Sequence, residues 1–261
     1  MTYIDAESGS ATFYHERWPI FYEDNHLLVL YKPAGLMMQR DFKNKANLLD
    51  MARQWIKVRY GKPGNVFIGM VHRLDGPVAG LVVLARTSKA ASRLSAQFRA
   101  KTVTKQYLAV VEGRPPEQEQ RVANYLVRQG RLSRIVPDMS RNSQEAVLTY
   151  RLAERLEKKA LLQITLESGR RHQIRAQLAH LGCPIAGDIN YGAVQAMPYG
   201  RIALLAYRLA FDHPIRRERQ EFETPLPQGW PWPQPKEQKD SPWWSIEAFE
   251  ADGLILPAPG R

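Results

Sequence analysis

The stretch Val66-Phe67-Ile68-Gly69-Met70-Val71-His72-Arg73-Leu74-Asp75-Gly76-Pro77-Val78-Ala79-Gly80-Leu81-Val82-Val83-Leu84-Ala85-Arg86 decides the fold class. Two apolar runs of strand length, rich in valine and leucine, enclose a short segment with Gly76 and Pro77, and Gly80 stands at its edge. Such a pattern predicts strands at 66–71 and 80–86 joined by a tight loop at 73–79. His72, Arg73 and Asp75 stand at this loop, and stiff loops between strands are where reactive side chains are commonly held. An aspartate before glycine serves its own turn equally well, by bonding the backbone two residues on. Spacing alone leaves the two readings even.

Working outward, 20–22 and 27–31 read as short strands around a turn at 23–26. Lys32-Pro33-Ala34-Gly35 stops the second strand, because proline cannot donate to a ladder and glycine permits a sharp turn. Asn47 predicts the N-cap of a helix running to about Tyr60, with Leu48, Met51, Ala52 and Trp55 on its apolar face. Ser88 is expected to cap a second helix with the stripe Ala91, Leu94, Ser95 and Phe98. Strands are further expected at about 103–112, 145–153, 159–167 and 202–211. A third helix is expected at about 171–181, burying Ile174, Leu178 and Leu181. Strands outnumber helices and hairpin-like connections outnumber crossovers, which predicts an α+β domain on a mixed, mainly antiparallel sheet. The expected organisation is an arm at 1–19, one domain at 20–224 and a strap at 225–261. The strap holds eight of eighteen prolines and four of six tryptophans, Trp230, Trp232, Trp243 and Trp244, read as rings packed on the domain surface.

Composition narrows the function. The 261 residues are 44% hydrophobic and 24% charged, enough apolar material for a core. No apolar run approaches the ~20 residues of a membrane span, and the first twenty residues carry acids and no apolar stretch. A lone cysteine, Cys183, excludes an internal disulfide and a cysteine zinc cage. The net charge is +11, and the surplus lies between residues 51 and 218, where 28 basic residues, most of them arginines, face 12 acidic ones. Arginine's planar fork suits phosphate, so a focused basic face points to a polyanionic partner, foremost a nucleic acid. Neither a Walker-A loop nor a GxGxxG helix start is present, and the six histidines never fall in an HExxH pattern. Neither a cofactor nor a metal is therefore expected, and the expectation is a cytosolic protein.

Two more segments could carry chemistry. In Ser168-Gly169-Arg170-Arg171-His172-Gln173-Ile174-Arg175, the basic side chains gather near a helix start, where free N–H groups attract phosphate. A solvated basic helix face explains the same spacing. In Lys105-Gln106-Tyr107, strand alternation puts Lys105 and Tyr107 on one face, and Tyr107 reads equally as a core aromatic.

Together these segments resemble the RluA-type family of RNA pseudouridine synthases. The likeness rests on Tyr31-Lys32-Pro33-Ala34-Gly35, HRLD at 72–75 with glycine five residues after the aspartate, KQYLAVVEG at 105–113, GRRHQIR at 169–175 and GCPIAGDINYG at 182–192. These five blocks stand in the family's order between about Tyr22 and Phe211. The resemblance implies one catalytic domain with a central, largely antiparallel sheet and its active site in a basic cleft. No room is expected for the S4 RNA-binding domain that many relatives carry. It implies Asp75 as the catalytic carboxylate, Tyr107 as the tyrosine stacked on uracil, and Arg175 as the buried arginine partner. Arg73 would help fill the stack vacated by a flipped base, Leu74 and Ile174 would supply apolar walls, and Lys105, Arg170 and Arg171 would hold RNA. His72 and His172 would stand behind these groups, His72 orienting the loop. The implied partner is a ribosomal or transfer RNA stem-loop, met by a monomer, without a cofactor. One departure is Val78-Ala79, where the family usually has Thr-Ser, so two loop hydroxyls are missing. Two other classes fit part of the pattern. A non-catalytic RNA-binding protein would keep the basic segment without needing Asp75, Tyr107 and Arg175 together. A carboxylate-based nucleoside hydrolase would want a second acid, and the remaining motif acid, Asp188, is read as a turn residue.

Overall fold

Where valine and leucine run without interruption, the chain forms strands that are buried on both faces. β2 (Leu27–Lys32) and β4 (Ala79–Ala85) are buried at every residue, Lys32 included, in a computed structural model that describes residues 20–40, 47–227 and 229–233. Along the chain the elements are β1 (Ile20–Glu23), β2, α1 (Leu48–Arg59), β3 (Gly69–Met70), β4, α2 (Ser88–Arg99) and β5 (Thr104–Glu112). They continue as β6 (Gln120–Gln129), β7 (Leu132–Val136), β8 (Ser143–Leu156), β9 (Lys159–Leu166), α3 (Gln173–His180), β10 (Leu204–Asp212) and β11 (Arg219–Glu223). Two short 3₁₀ turns, Ile189–Tyr191 and Pro198–Gly200, lie between α3 and β10. The class is α+β.

Contacts divide the chain into two compact units. Among the described residues, one comprises 20–40, 47–103 and 208–227, the other 104–207 and 229–233. The sequence pattern suggested one domain over 20–224. In the first unit β2 pairs with β1 on one side and β4 on the other, β3 adds to β4, and Arg208–Asp212 of β10 pairs with β11. The second unit is a meander in the order β5-β9-β8-β6-β7. All of these pairs are antiparallel.

Several expectations are corrected. β6, β7 and β11 were not foreseen, because their residues are mostly half-exposed, polar and rich in arginine, so no clean apolar alternation marks them. The strand expected at 66–71 shrinks to two residues, with Phe67 50% exposed. The side chain of Thr87, not Ser88, caps α2 by accepting the Ala90 N–H. The third helix starts at Gln173, since His172 takes the left-handed conformation at φ 53°, and Leu181 ends it 40% exposed. Asn47 caps α1 as its side-chain oxygen accepts the Asp50 N–H. Trp230 and Trp232 are buried, and the Trp232 indole N–H donates to Glu154 at 2.7 Å. The arm at 1–19, Trp243 and Trp244 lie outside the described residues.

Candidate active site

In the first unit, the HRLD loop is gripped through its main chain. Lys32 ends β2 with its side chain fully buried, and its ammonium donates to the carbonyls of Pro33 (2.9 Å), Leu36 (2.8 Å) and Gly76 (3.1 Å). These three acceptors match the three protons of an ammonium. The Gly76 carbonyl also accepts the N–H of Gly35, at 2.8 Å. Gly35 adopts φ 95°, a left-handed geometry that glycine reaches at no steric cost. The Lys-Pro-Ala-Gly turn is therefore more than a strand stop: it holds the peptide that follows Asp75. Burial pulls the Lys32 ammonium down to about 7, and the Asp75 carboxylate acts on it in the opposite sense. Gly76 has a steric reason as well, because a Cβ there would come within 2.8 Å of the Met37 sulfur.

The other end of the loop is tied down by His72. Its Nε2 accepts the Val83 N–H of β4 at 3.0 Å, which puts the ring proton on Nδ1, and the ring stacks on Phe98 of α2 at 4.9 Å. Leu74 points inward and is buried, the Val78 N–H closes a turn onto the Asp75 carbonyl, and Arg73 is exposed. Asp75 is half-buried between these two anchors. Val78 and Ala79, in place of the two hydroxyl residues, are buried apolar groups.

In the second unit, β5 and the Ser168–His172 turn come together. Lys105 reaches the Ser168 carbonyl at 3.5 Å, and Tyr107, on the same strand face, is buried opposite Ile164. The turn is knitted by Gln173, the residue that opens α3. Its side-chain oxygen accepts from the Ser168 hydroxyl (2.8 Å) and the Arg170 N–H (3.0 Å), and its amide donates to the Val147 carbonyl (3.0 Å). Arg170 and Arg171 extend outward, donating to the carbonyls of Glu145 and Arg131. Ile174 is buried, and His172 meets the Tyr191 hydroxyl through Nδ1 at 2.9 Å.

Arg175 is the buried cation of this unit. Its guanidinium donates twice to Asp188, at 2.6 and 2.8 Å, and lies 4.8 Å from the centre of the Tyr191 ring. Asp188 does sit in a turn, as read, yet its carboxylate is the partner that fixes Arg175. Sequence reasoning missed this because the pair is separated by thirteen residues, which is no helical or strand spacing. Among the described residues no helix is long and apolar enough to cross a membrane, and no cluster of His, Cys, Asp or Glu is arranged to hold a metal.

Comparison with known proteins follows the same residues. The profile of the RNA pseudouridylate synthase family matches residues 26–180. The ribosomal large subunit pseudouridine synthase D of Xanthomonas campestris is 35% identical over 234 residues, covering 80% of this chain and 66% of the relative. The ribosomal large subunit pseudouridine synthase C of Vibrio parahaemolyticus is 31% identical, covering 79% of this chain and 65% of its own length. The chain thus spans about two thirds of these relatives. Among solved structures, human RNA pseudouridylate synthase domain containing 4 superposes with a TM-score of 0.68 at 22% identity, over 92% of this chain and 94% of that one.

Proposed function

Since this chain belongs to the RluA-type family of RNA pseudouridine synthases, we propose that it isomerises a uridine in a structured ribosomal or transfer RNA, with Asp75 as the reacting carboxylate. The family is one of isomerases. The reaction breaks the N1–C1′ bond, turns the uracil and joins C5 to C1′. The C5 proton leaves and N1 gains one, so atoms and electrons balance without an external oxidant or donor. The protein must supply a carboxylate held still beside a nucleoside, and a place for that nucleoside outside its stack. The observation that carries the proposal is the double anchoring of the Asp75 loop, by Lys32 and Gly35 at Gly76 and by Val83 at His72. A loop so fixed presents its carboxylate with little freedom left to lose on binding.

Flipping the target base costs a few kcal/mol. The exposed Arg73, next but one to Asp75, is assigned to the vacated stack. Tyr107 and Arg175 are the further residues that the family likeness assigns to the reaction, and Leu74 and Ile174 supply apolar walls. Arg170 and Arg171 are assigned to phosphate. The enzyme would act in the cytoplasm, without a cofactor.

The test is incubation of the full chain with transcribed ribosomal and transfer RNA, followed by carbodiimide labelling of pseudouridine. Asp75→Asn keeps the size and hydrogen bonding of the side chain but not its charge. It is expected to form no pseudouridine while RNA affinity changes only a few-fold. Turnover by that variant would refute the role of Asp75. Release of free uracil by the parent chain would mark a hydrolase, and unchanged RNA a binding protein.

A further inference from the structure

Helix α1 carries two faces. Leu48, Met51, Ala52 and Ile56 are buried, while Asp50, Arg53, Gln54 and Lys57, at i, i+3, i+4 and i+7, form the opposite stripe. That polar stripe lines a cleft of about 450 Å³, closed by Arg40 on one side and Asn65 on the other. Three cations thus face one carboxylate. Asp50 bonds Arg40 Nε at 2.7 Å and Arg53 at 2.8 Å, so it orients both guanidinium groups while neutralising only one charge. The Asn47 amide adds a third bond to the same carboxylate. Burial pushes the Asp50 carboxyl upward, but the hydrogen bonds from Arg40, Asn47 and Arg53 outweigh it and hold the group below its ordinary value. The clamp is therefore ionised and intact across neutral pH.

We propose that this cleft is an accessory RNA-binding site, taking the phosphodiester backbone of a segment that flanks the target uridine. None of the five family blocks includes it. The described residues around it are mostly basic: Arg40 and residues 47–66 hold five basic side chains and one acidic. Two further observations favour RNA over a free anion or an acidic peptide. The segment after α1 leaves the Phe67 ring 50% exposed, next to Val66, which lines the cleft. Bases stack on exposed aromatic rings, and an aromatic beside a cationic groove is the usual means of holding single strands. Guanidinium groups already fixed by Asp50 lose little freedom when they meet phosphate. The inference rests on the reading of the chain as an RNA-modifying enzyme, and it adds where that RNA is gripped.

The experiment measures binding, so its outcome is separate from turnover. Affinity of the full chain for a fluorescein-labelled transcribed hairpin, with single-stranded flanks, is followed across a salt series. Arg53→Ala and Lys57→Ala are expected each to weaken binding several-fold at low salt and to lower the log–log salt slope by about 0.7–0.9, one contact apiece. On a hairpin trimmed of its flanks the two variants should match the parent. Lys158→Ala, on the exposed β8–β9 turn, serves as a control that changes net charge alone. Both α1 side chains sit on the solvent face of the helix, and circular dichroism verifies that the variants are folded. Equal slopes for parent and α1 variants would overturn the proposal, as would an equal loss for Lys158→Ala, which would reveal only a diffuse field. Failure of the parent to form pseudouridine, with the α1 effect intact, would instead refute the enzymatic reading.

Discussion

The Arg175–Asp188 pair should be among the most costly interactions to break in this chain, and a second pair in the same unit provides its internal control. Arg121 and Glu167 meet with the same two-pronged geometry, at 2.9 and 3.0 Å, as Arg175 and Asp188 do at 2.6 and 2.8 Å. What differs is water. The Arg121 and Glu167 side chains are 60% and 38% exposed, whereas those of Arg175 and Asp188 are 5% and 1% exposed. Unit charges about 4 Å apart attract by about 1 kcal/mol in water and by about 4 kcal/mol at the effective dielectric of a protein. The exposed pair also has side-chain entropy to lose and is screened by water and salt, which leaves it almost no net contribution. Arg175→Met keeps most of the stem's volume but strands Asp188, an ionised group out of reach of water, at a cost of about 3–5 kcal/mol. Arg121→Met, whose charges stay in water, should leave the urea midpoint close to that of the parent.

Urea unfolding of the full chain, parent against each variant, reads both losses. The double variant Arg175→Met with Asp188→Leu completes the argument, because it removes both charges. If desolvation governs, the double change restores most of what the single one lost, since burying neither charge is often no worse than burying both. A single-variant loss below about 1 kcal/mol would refute the reasoning, as would a double variant no better than the single.

Three further outcomes are expected. Lys32 loses its proton at about 7 in the folded chain, against 10.5 in an ordinary lysine, so unfolding takes up a proton between those pH values. Stability should therefore rise with pH across that window, by at most about 1.4 kcal/mol per unit, and not depend on this group below it, where both states hold the proton. Lys32→Met should abolish the rise in urea midpoints, and a rise that persists would place its origin elsewhere. Arg170→Ala and Arg171→Ala should each lower the salt slope of RNA binding by about 0.7–0.9 and weaken cognate and non-cognate RNA alike, because phosphate contacts carry no sequence information. Arg73→Ala should instead depress kcat more than affinity, and the reverse pattern would overturn that division of labour. Trp232→Phe removes the indole donor to Glu154 and should cost about 1 kcal/mol in urea unfolding; no change would mean that this contact is fully replaced by water.

The elements that were legible in the sequence are those whose burial is written in apolar residues. β2 and β4 announce themselves because both faces are covered and nearly every residue is apolar. α1 is legible from Asn47 and the spacing of Leu48, Met51 and Ala52, although Ile56, not the expected Trp55, completes the buried face. β6 and β7 were not, since they bury little beyond Leu126 and Ser133, and β6 carries glutamine and arginine at both ends with no apolar alternation between. The motif residues could be named from their family likeness, but not what holds them.

That difference has a physical cause. A buried polar side chain is tolerated only where its partners already stand, and those partners lie far off in sequence: Gly76 is 44 residues from Lys32, and Val147 is 26 from Gln173. Local propensity opposes each placement. Lysine is almost never fully buried, and a histidine in the left-handed region carries a steric cost that glycine would avoid. Lys32 and His172 nonetheless take these positions, one beneath the Asp75 peptide and the other at the head of the helix that carries Arg175. Positions where a local rule is broken and then compensated by several bonds are those where the fold is fixing something other than its own core. Lys32 is thus a positioning residue. Its removal should disturb the geometry around Asp75 more than it disturbs β2, whose other five residues are apolar and buried. With Lys32→Met, kcat should fall while the urea midpoint at neutral pH moves little. A midpoint loss as large as that of Arg175→Met, with kcat intact, would show instead that Lys32 merely fills a core.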